Sequence, residues 1–358
     1  MGDVLHLTGP VLVGPDDVRP EVWVLDGQVT FTAPTAAAQT VAGWVLPGLV
    51  DAHCHVGLGP DGAVDEATSE EQALADRDAG TLLIRDAGTP LDTHWVDDRD
   101  DLPRIIRAGR HIARSRRYLR GFAHELEPED VVAYVRQEAR RGDGWVKLVG
   151  DWIDRDTGDL SPSFPRETVV AAVAAAHEEG ARTTAHCFGE ESLYDFAAAG
   201  TDCIEHACGL EPESIEQFAA QGIAIVPTLI NIARLPEMAA PGKDKFPAYY
   251  AHMMDLHRRR YATVAAAHDA GVPIYLGTDA GSSLPHGLVA DEAADLLAAG
   301  LSTVEALSAG TWAAREWLGR PGIEEGASAD LVVYEADPRA DIRVLAAPLA
   351  VVLRGQTV

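Results

Sequence analysis

Residues 169–187, VVAAVAAAHEEGARTTAHC, hold a helix, its stop and a strand in one line. The Ala-rich stretch reads as helix. Gly180 takes the left-handed conformation that closes a last turn. ARTTAHC then reads as a short strand ending on His186. The same phrase recurs as EEQALADRDAG–TLLIRDAG, SLYDFAAAG–TDCIEHAC, SIEQFAAQG–IAIVPTL and VAAAHDAG–VPIYLGTDA, with stops at Gly80, Gly200, Gly222 and Gly271. Helix starts carry Pro and acid where free N–H groups and the positive dipole end favour them: Glu127-Pro128-Glu129, Pro165-Arg166-Glu167 and Glu211-Pro212-Glu213.

Strands alternating with helices at this spacing predict parallel strands joined by helical crossovers. Eight candidates lie at 45–52, 81–86, 104–109, 145–150, 181–186, 203–207, 223–229 and 273–278. The expected class is α/β, a (β/α)8 TIM-type barrel over 45–319. An open doubly wound sheet is the alternative. Polar residues end most strands, as a barrel mouth requires, and no Gly-rich phosphate loop follows the first strand. The two ends differ. VLHLTG, EVWVLDGQVTFTA, ADLVVYEA and PLAVVLRGQ alternate with a period of two. Residues 1–44 plus 320–358 are expected to form one small β-sandwich domain.

The 358 residues suit one large domain and an appendage. With 47% hydrophobic and 24% charged residues, wholesale disorder is excluded. A net charge of −27 repels phosphate backbones and anionic lipid, so no nucleic-acid or membrane partner is expected. The expected partner is a small-molecule substrate, with homo-oligomerisation open. No long apolar run and no basic-then-apolar leader are seen, so a cytoplasmic protein is expected. Four cysteines are too sparse for a disulfide scaffold. Lysine occurs only at 147, 243 and 245. Two of these fall in the polar segment PGKDKFP, but Lys147 sits in the apolar run GWVKLVG.

The first parallel strand ends in Asp51-Ala52-His53-Cys54-His55. Side chains two apart on a strand point the same way, so both imidazoles can reach one ion. His186 and His206 end strands five and six, Asp279 ends strand eight, and Lys147 lies near the C-terminal end of strand four. In a barrel those ends converge on one mouth. Lys147 has three readings: a buried structural cation, a Schiff-base lysine, or a carbamate formed with CO2. A charged ammonium beside metal cations would be strongly repelled, which favours the carbamate. Asp51 reads equally as an orienting group or as a strand-end turn. Cys54 and Cys187 should point away from the ligand face, Glu190 should begin a helix, and the remaining histidines should be surface or half-buried residues.

The words VLPGLVDAHCH, WVKLVGDW, ARTTAHC, CIEHAC, IVPTL and LGTDAGSSLPHG, in this order, resemble the amidohydrolase superfamily. Pro285-His286-Gly287 and Glu292 are similar to the branch of metal-dependent Xaa-Pro dipeptidases and imidazolonepropionases. The resemblance implies two divalent metals, zinc being expected. His53, His55 and Asp279 would hold one, His186 and His206 the other, and carboxylated Lys147 would bridge them. It further implies a metal-bridging hydroxide that attacks a carbonyl, with Asp279 as proton shuttle. The expected activity is hydrolysis of a C–N bond (amide, peptide or cyclic amide) in a small substrate such as a dipeptide or N-acyl amino acid. The alternative is a mononuclear deaminase or cyclic-amidine hydrolase, imidazolonepropionase-like, which would need a proton-carrying Glu near strand five and no bridging lysine.

The sequence departs from the dipeptidase-like pattern twice. The loop after strand three, GRHIARSRRYLRGFAHEL, lacks a Gly-Gly-His word, and PTLINIARL places Asn231 where a Tyr is frequent. That first loop belongs to an arginine cluster: Arg104, Arg107, Arg110, Arg114, Arg116, Arg117 and Arg120. Arg116, Tyr118, Asn231 and His286 are the expected substrate contacts.

Overall fold

The computed structural model describes residues 4–358. Its centre is parallel. Strands β1 (Leu49–Cys54), β2 (Thr81–Asp86) and β3 (Arg104–Arg107) pair in the order β3–β2–β1. Strands β4 (Ile112–Arg114), β5 (Trp145–Val149), β6 (Arg182–Cys187), β7 (Cys203–His206) and β8 (Ala224–Val226) pair in chain order, with His124–Leu126 beside β4. Helices such as Glu66–Asp78, Arg166–Glu178, Glu190–Ala199 and Pro212–Gln221 connect them. Gly200 and Gly222 close two of these helices with φ of 73° and 69°.

The eighth expected strand, 273–278, is extended but irregular. Ile225 donates to the Pro273 carbonyl at 2.9 Å and Tyr275 to Ile225 at 3.0 Å, while Ala52 donates to Leu276 at 2.8 Å and Asp279 to His53 at 2.7 Å. The segment thus binds β8 on one side and β1 on the other. Pro273 lacks an N–H, and Asp279 has a left-handed φ of 59°, so no regular ladder forms. Gly277 permits the close approach: a Cβ there would lie 2.4 Å from Val226 Cγ1 and 2.6 Å from the His53 nitrogen.

Residues 45–52, read as one strand, are divided at Gly48. Trp44–Pro47 belongs to another sheet and Leu49–Cys54 to the parallel one. A Cβ on Gly48 would meet the Leu82 side chain at 2.6 Å, so the crossing point has room only for glycine. The other sheet has eight strands and draws on both ends of the chain. Ala350–Leu353 pairs with Leu331–Tyr334, that with Trp44–Pro47, and Val4–Leu12 with Val18–Leu25.

Packing follows strand alternation. On β5, Val146 and Leu148 join the helix-facing core with Val173, Phe196 and Phe218, while Trp145 packs with Ala224 and Val226. Lys147 therefore shares Trp145's face and is 1% exposed. No helix among the described residues is long and apolar enough to cross a membrane.

Candidate active site

His53, His55, Lys147, His186, His206 and Asp279 all line one cavity of about 370 Å³ at the C-terminal ends of the parallel strands. His53 Nε2 and His55 Nε2 are 3.1 Å apart, and Asp279 Oδ1 lies 3.1 and 3.0 Å from them. The His186 and His206 rings are 4.7 Å apart, and His206 is 5.2 Å from His53. His53, His206 and Asp279 each offer one ligand atom within 4.8 Å of the others.

Local backbone explains the convergence. The register of β1 against β2 shifts between Asp51 and Cys54, a bulge where the histidines leave the strand. His206, Thr228 and Asp279 all have left-handed backbones, with φ of 67°, 46° and 59°. Such strain persists where surrounding structure over-determines it, and it collects at functional sites. At His206 it has a specific result. Ile204 faces the helices, so Glu205 faces inward, and strict alternation would turn His206 outward. The left-handed turn brings His206 inward as well.

Sequence reading missed Glu205 for this reason. Its carboxylate is fully buried, 2.6 Å from Arg85 Nη2, and accepts from the Thr184 hydroxyl. Its other oxygen is 2.8 Å from His53 Nδ1, at ion-pair distance but off the line of a hydrogen bond. Burial opposes its charge, yet Arg85, His53 and Lys147 outweigh it and hold its pKa well below the usual range. Arg85 lies 4.7 Å over the Trp145 ring.

The other ligand candidates are held in the same manner. His55 Nδ1 donates to the Gly88 carbonyl at 2.7 Å, and His206 Nδ1 is 2.7 Å from Thr228 Oγ1. Asp51 accepts from the backbone of His53 (3.1 Å) and Thr278 (3.0 Å) and from the Thr278 hydroxyl at 2.5 Å. It ties β1 to segment 273–280, which joins the two readings left open for it. Asn231 donates to Asp279 Oδ2 at 2.5 Å. The short helix Leu229–Ile232 that carries Asn231 has its first N–H groups bound by Glu292, at 2.8 and 2.9 Å.

The donor set fits a metal. A carbonyl only accepts, so the His55 Nδ1 that meets Gly88 carries a proton, and Nε2 is the ring nitrogen turned toward Asp279. His55 Nε2 lies 3.0 Å from Asp279 Oδ1, and the neighbouring histidines, His53 first, outweigh the burial of Asp279 and hold its pKa well below the usual range. Two imidazole nitrogens thus converge on one carboxylate oxygen, a donor set of the type that divalent metals bind. His186 Nε2 is buried without a hydrogen-bond partner, 3.9 Å from Asp151 Oδ1. Burial pushes His186 well below its ordinary pKa and His206 down to about 3, leaving neutral imidazoles. Burial also lowers Lys147, against the pull of Glu205 and Asp279.

The expected substrate contacts divide. Tyr118 and Asn231 line the cavity. Arg116 does not: its left-handed backbone (φ 62°) puts it in a separate, more open cleft with Arg114, Arg155 and Arg166. His286 does not either. It is buried outside the cavity, with Nδ1 2.8 Å from Asp76 Oδ2 and 3.5 Å from Cys54 Sγ. The remaining arginines of the cluster are mostly structural. Arg107 pairs with Asp97 and Asp143 at 2.9 Å each, Arg114 with Glu127 at 2.6 Å, and Arg117 binds the Trp152 and Ser161 carbonyls at 3.0 and 2.8 Å. His111, read as a surface or half-buried imidazole, is 1% exposed, its ring 5.2 Å from His55, with neither nitrogen bonded. Glu190 begins its helix as expected and pairs with His252 at 2.8 Å and with Arg259.

An uncharacterized protein of Mycobacterium tuberculosis is 53% identical over 356 residues, covering 99% of this chain and 95% of that protein. The imidazolonepropionase of Acidiphilium cryptum is a more distant relative, 26% identical over 365 residues, covering 87% and 86%. A Xaa-Pro dipeptidase structure with methionine in its active site superposes with a TM-score of 0.83 at 22% identity, covering 99% of this chain and 100% of that one. This likeness shows that the mixed α/β fold is that of amidohydrolase structures. The model of the amidohydrolase family matches residues 44–358, and the chain belongs to that family of hydrolytic enzymes acting on C–N bonds.

Proposed function

We propose that the protein is a binuclear metal-dependent hydrolase of an amide-type C–N bond. His53, His55 and Asp279 would hold one divalent ion, His186 and His206 a second, with Lys147, as its carbamate, shared between them. The observation that carries this reading is that all six side chains line one cavity, with His53 and His55 Nε2 converging on one Asp279 oxygen and His186 Nε2 buried without a partner. Bound there, zinc or a similar ion would supply Lewis acidity, polarising the scissile carbonyl and acidifying water. The chain's own residues do the rest. Asp279 accepts the proton of the attacking water and returns it to the departing nitrogen. Asn231 fixes one Asp279 oxygen, so the other is left to face the histidines. Glu205 and the Gly88 carbonyl set the ring orientations of His53 and His55. Burial favours the uncharged amine that CO2 addition to Lys147 requires.

The single-metal deaminase reading needs a proton-carrying carboxylate after β6. Glu190, the nearest in sequence, is engaged by His252 and Arg259 outside the cavity. We further read the parallel strands and segment 273–280 as a (β/α)8 barrel over 45–319, with 1–44 and 320–358 as the small β-sandwich domain. The test is metal analysis of zinc-reconstituted protein with and without bicarbonate. About two equivalents per chain are expected, with a carbamate signal from labelled bicarbonate that Lys147→Ala abolishes. Less than one equivalent, with full activity in Lys147→Ala, would overturn the reading.

A further inference from the structure

Beside the histidines the cavity wall is mainly apolar and aromatic, with Tyr118, Phe122, Trp152, Phe188 and Met253 among its residues and hydroxyls from Ser282 and Ser283. No arginine among the described residues lines it. Its one lysine, Lys147, stands at the floor among the proposed metal ligands. Arg234, near the rim, is held by the Ser283 carbonyl and hydroxyl at 3.3 and 2.9 Å and by Glu237 at 3.3 Å. Asn231 is bound to Asp279. The arginines that could have clamped an anion are tied down elsewhere or, like Arg116, open into the neighbouring cleft. A carboxylate entering this cavity would lose its hydration with no side-chain cation on the wall to replace it. The protein's net charge of −27 would oppose its arrival as well.

We infer that the substrate is an uncharged carboxamide bearing an aromatic ring, not a free dipeptide or N-acyl amino acid. This rests on the hydrolase reading above and narrows it. The chemistry is a hydrolysis without redox change. Water oxygen bonds to the carbonyl carbon, the C–N bond breaks, and one water proton ends on the nitrogen. The products are a carboxylic acid, which ionises, and an amine. The aromatic wall supplies stacking area for the ring. The same wall disfavours the carboxylate product, which promotes its release. A cavity of about 370 Å³ is at the small end for such ligands, enough for one ring and its amide.

The test uses zinc-loaded full-length protein and matched pairs that differ only in one carboxylate, such as N-methylbenzamide against N-benzoylglycine. The neutral member should have a kcat/KM higher by about 100-fold. Equal or better turnover of the carboxylate member would overturn the inference while leaving the hydrolase reading standing. Binding of non-hydrolysable ketone analogues, followed by tryptophan fluorescence, gives a second readout with the same expected order of Kd. Absence of turnover on every amide would sink the hydrolase reading, and the two Kd values would then decide this one. Trp152→Ala should raise KM by about tenfold with kcat less changed. Met238→Arg, at an exposed rim position, should narrow the neutral-to-carboxylate ratio by about tenfold. An unchanged ratio in Met238→Arg would count against the inference.

Discussion

Strand β1 presents a histidine–carboxylate group on each of its sides, and the two are built differently. On one side His53 and His55 crowd onto one oxygen of Asp279, and His186 Nε2 has no hydrogen-bond partner. On the other, Cys54, Asp76 and His286 also place ligand-type atoms within 4.8 Å of one another. There, however, both Asp76 oxygens already accept hydrogen bonds, while His286 Nε2 stays buried without a partner. His286 donates to one Asp76 oxygen at 2.8 Å, the Gly287 N–H to the other at 2.8 Å, and the Cys54 thiol points at Asp76 at 3.6 Å. Burial pushes the Cys54 thiol well above its ordinary pKa, so it stays protonated. Donor type and spacing are thus shared by both groups. What separates the two groups is their setting: the first lines the cavity, and the second lies outside it with the Asp76 carboxylate already filled by its own donors.

Experiments can break or sharpen that contrast. Asp279→Asn should lower kcat by about 10²–10⁴ with the fold retained by circular dichroism, since it removes the proposed proton carrier. Asp76→Asn should leave kcat within about threefold, and a similar loss from both would erase the distinction. Glu205→Ala leaves Arg85 buried and unpaired and should cost about 3–5 kcal/mol in denaturant unfolding. Adding Arg85→Met should recover part of that loss. Asp76→Ala should cost about 1–3 kcal/mol, from orphaning Gly287 N and His286, while metal content stays unchanged. A fall in metal content would show that the second cluster also serves the ions.

The smallest effect supplies a control from a half-exposed histidine–carboxylate group. Hydrogen bonding to Glu190, then to Asp159, raises His252 to about 9, above its ordinary value near 6.5. Its folded state therefore binds a proton more tightly than its unfolded state. The stabilisation is complete below about pH 6.5 and disappears as pH rises through about 9. His252→Asn should cost about 1 kcal/mol at pH 6 and almost nothing at pH 10, read from melting curves. A gap that does not change with pH would refute this assignment.

Much of the centre could be read from the chain. Helix stops at glycine, short strands and polar strand ends placed His53, His55, Lys147, His186, His206 and Asp279 at one end of the parallel strands, and all six share one cavity. What escaped has physical causes. Glu205 was hidden because alternation assigns the inner face to only one of two neighbours, and a left-handed residue broke the rule. His286 and Arg116 stand in sequence beside mouth residues, but proximity along the chain does not fix direction. Buried Asp76 captured the first, and a turn diverted the second. His111 escaped because nothing in GRHIARS distinguishes a buried imidazole from an exposed one. Gly48 was invisible as a junction because both flanking runs are apolar and extended.

The shared terminal sheet carries a consequence for how the molecule is made. Trp44–Pro47 leaves the ribosome before any of the parallel strands, yet its neighbour Leu331–Tyr334 follows only after all of them. Until then one edge of the early strand stays open, and such edges recruit other chains. Completion of this sheet should therefore wait for residues 331–334, with chaperone dependence greatest for nascent chains halted before them.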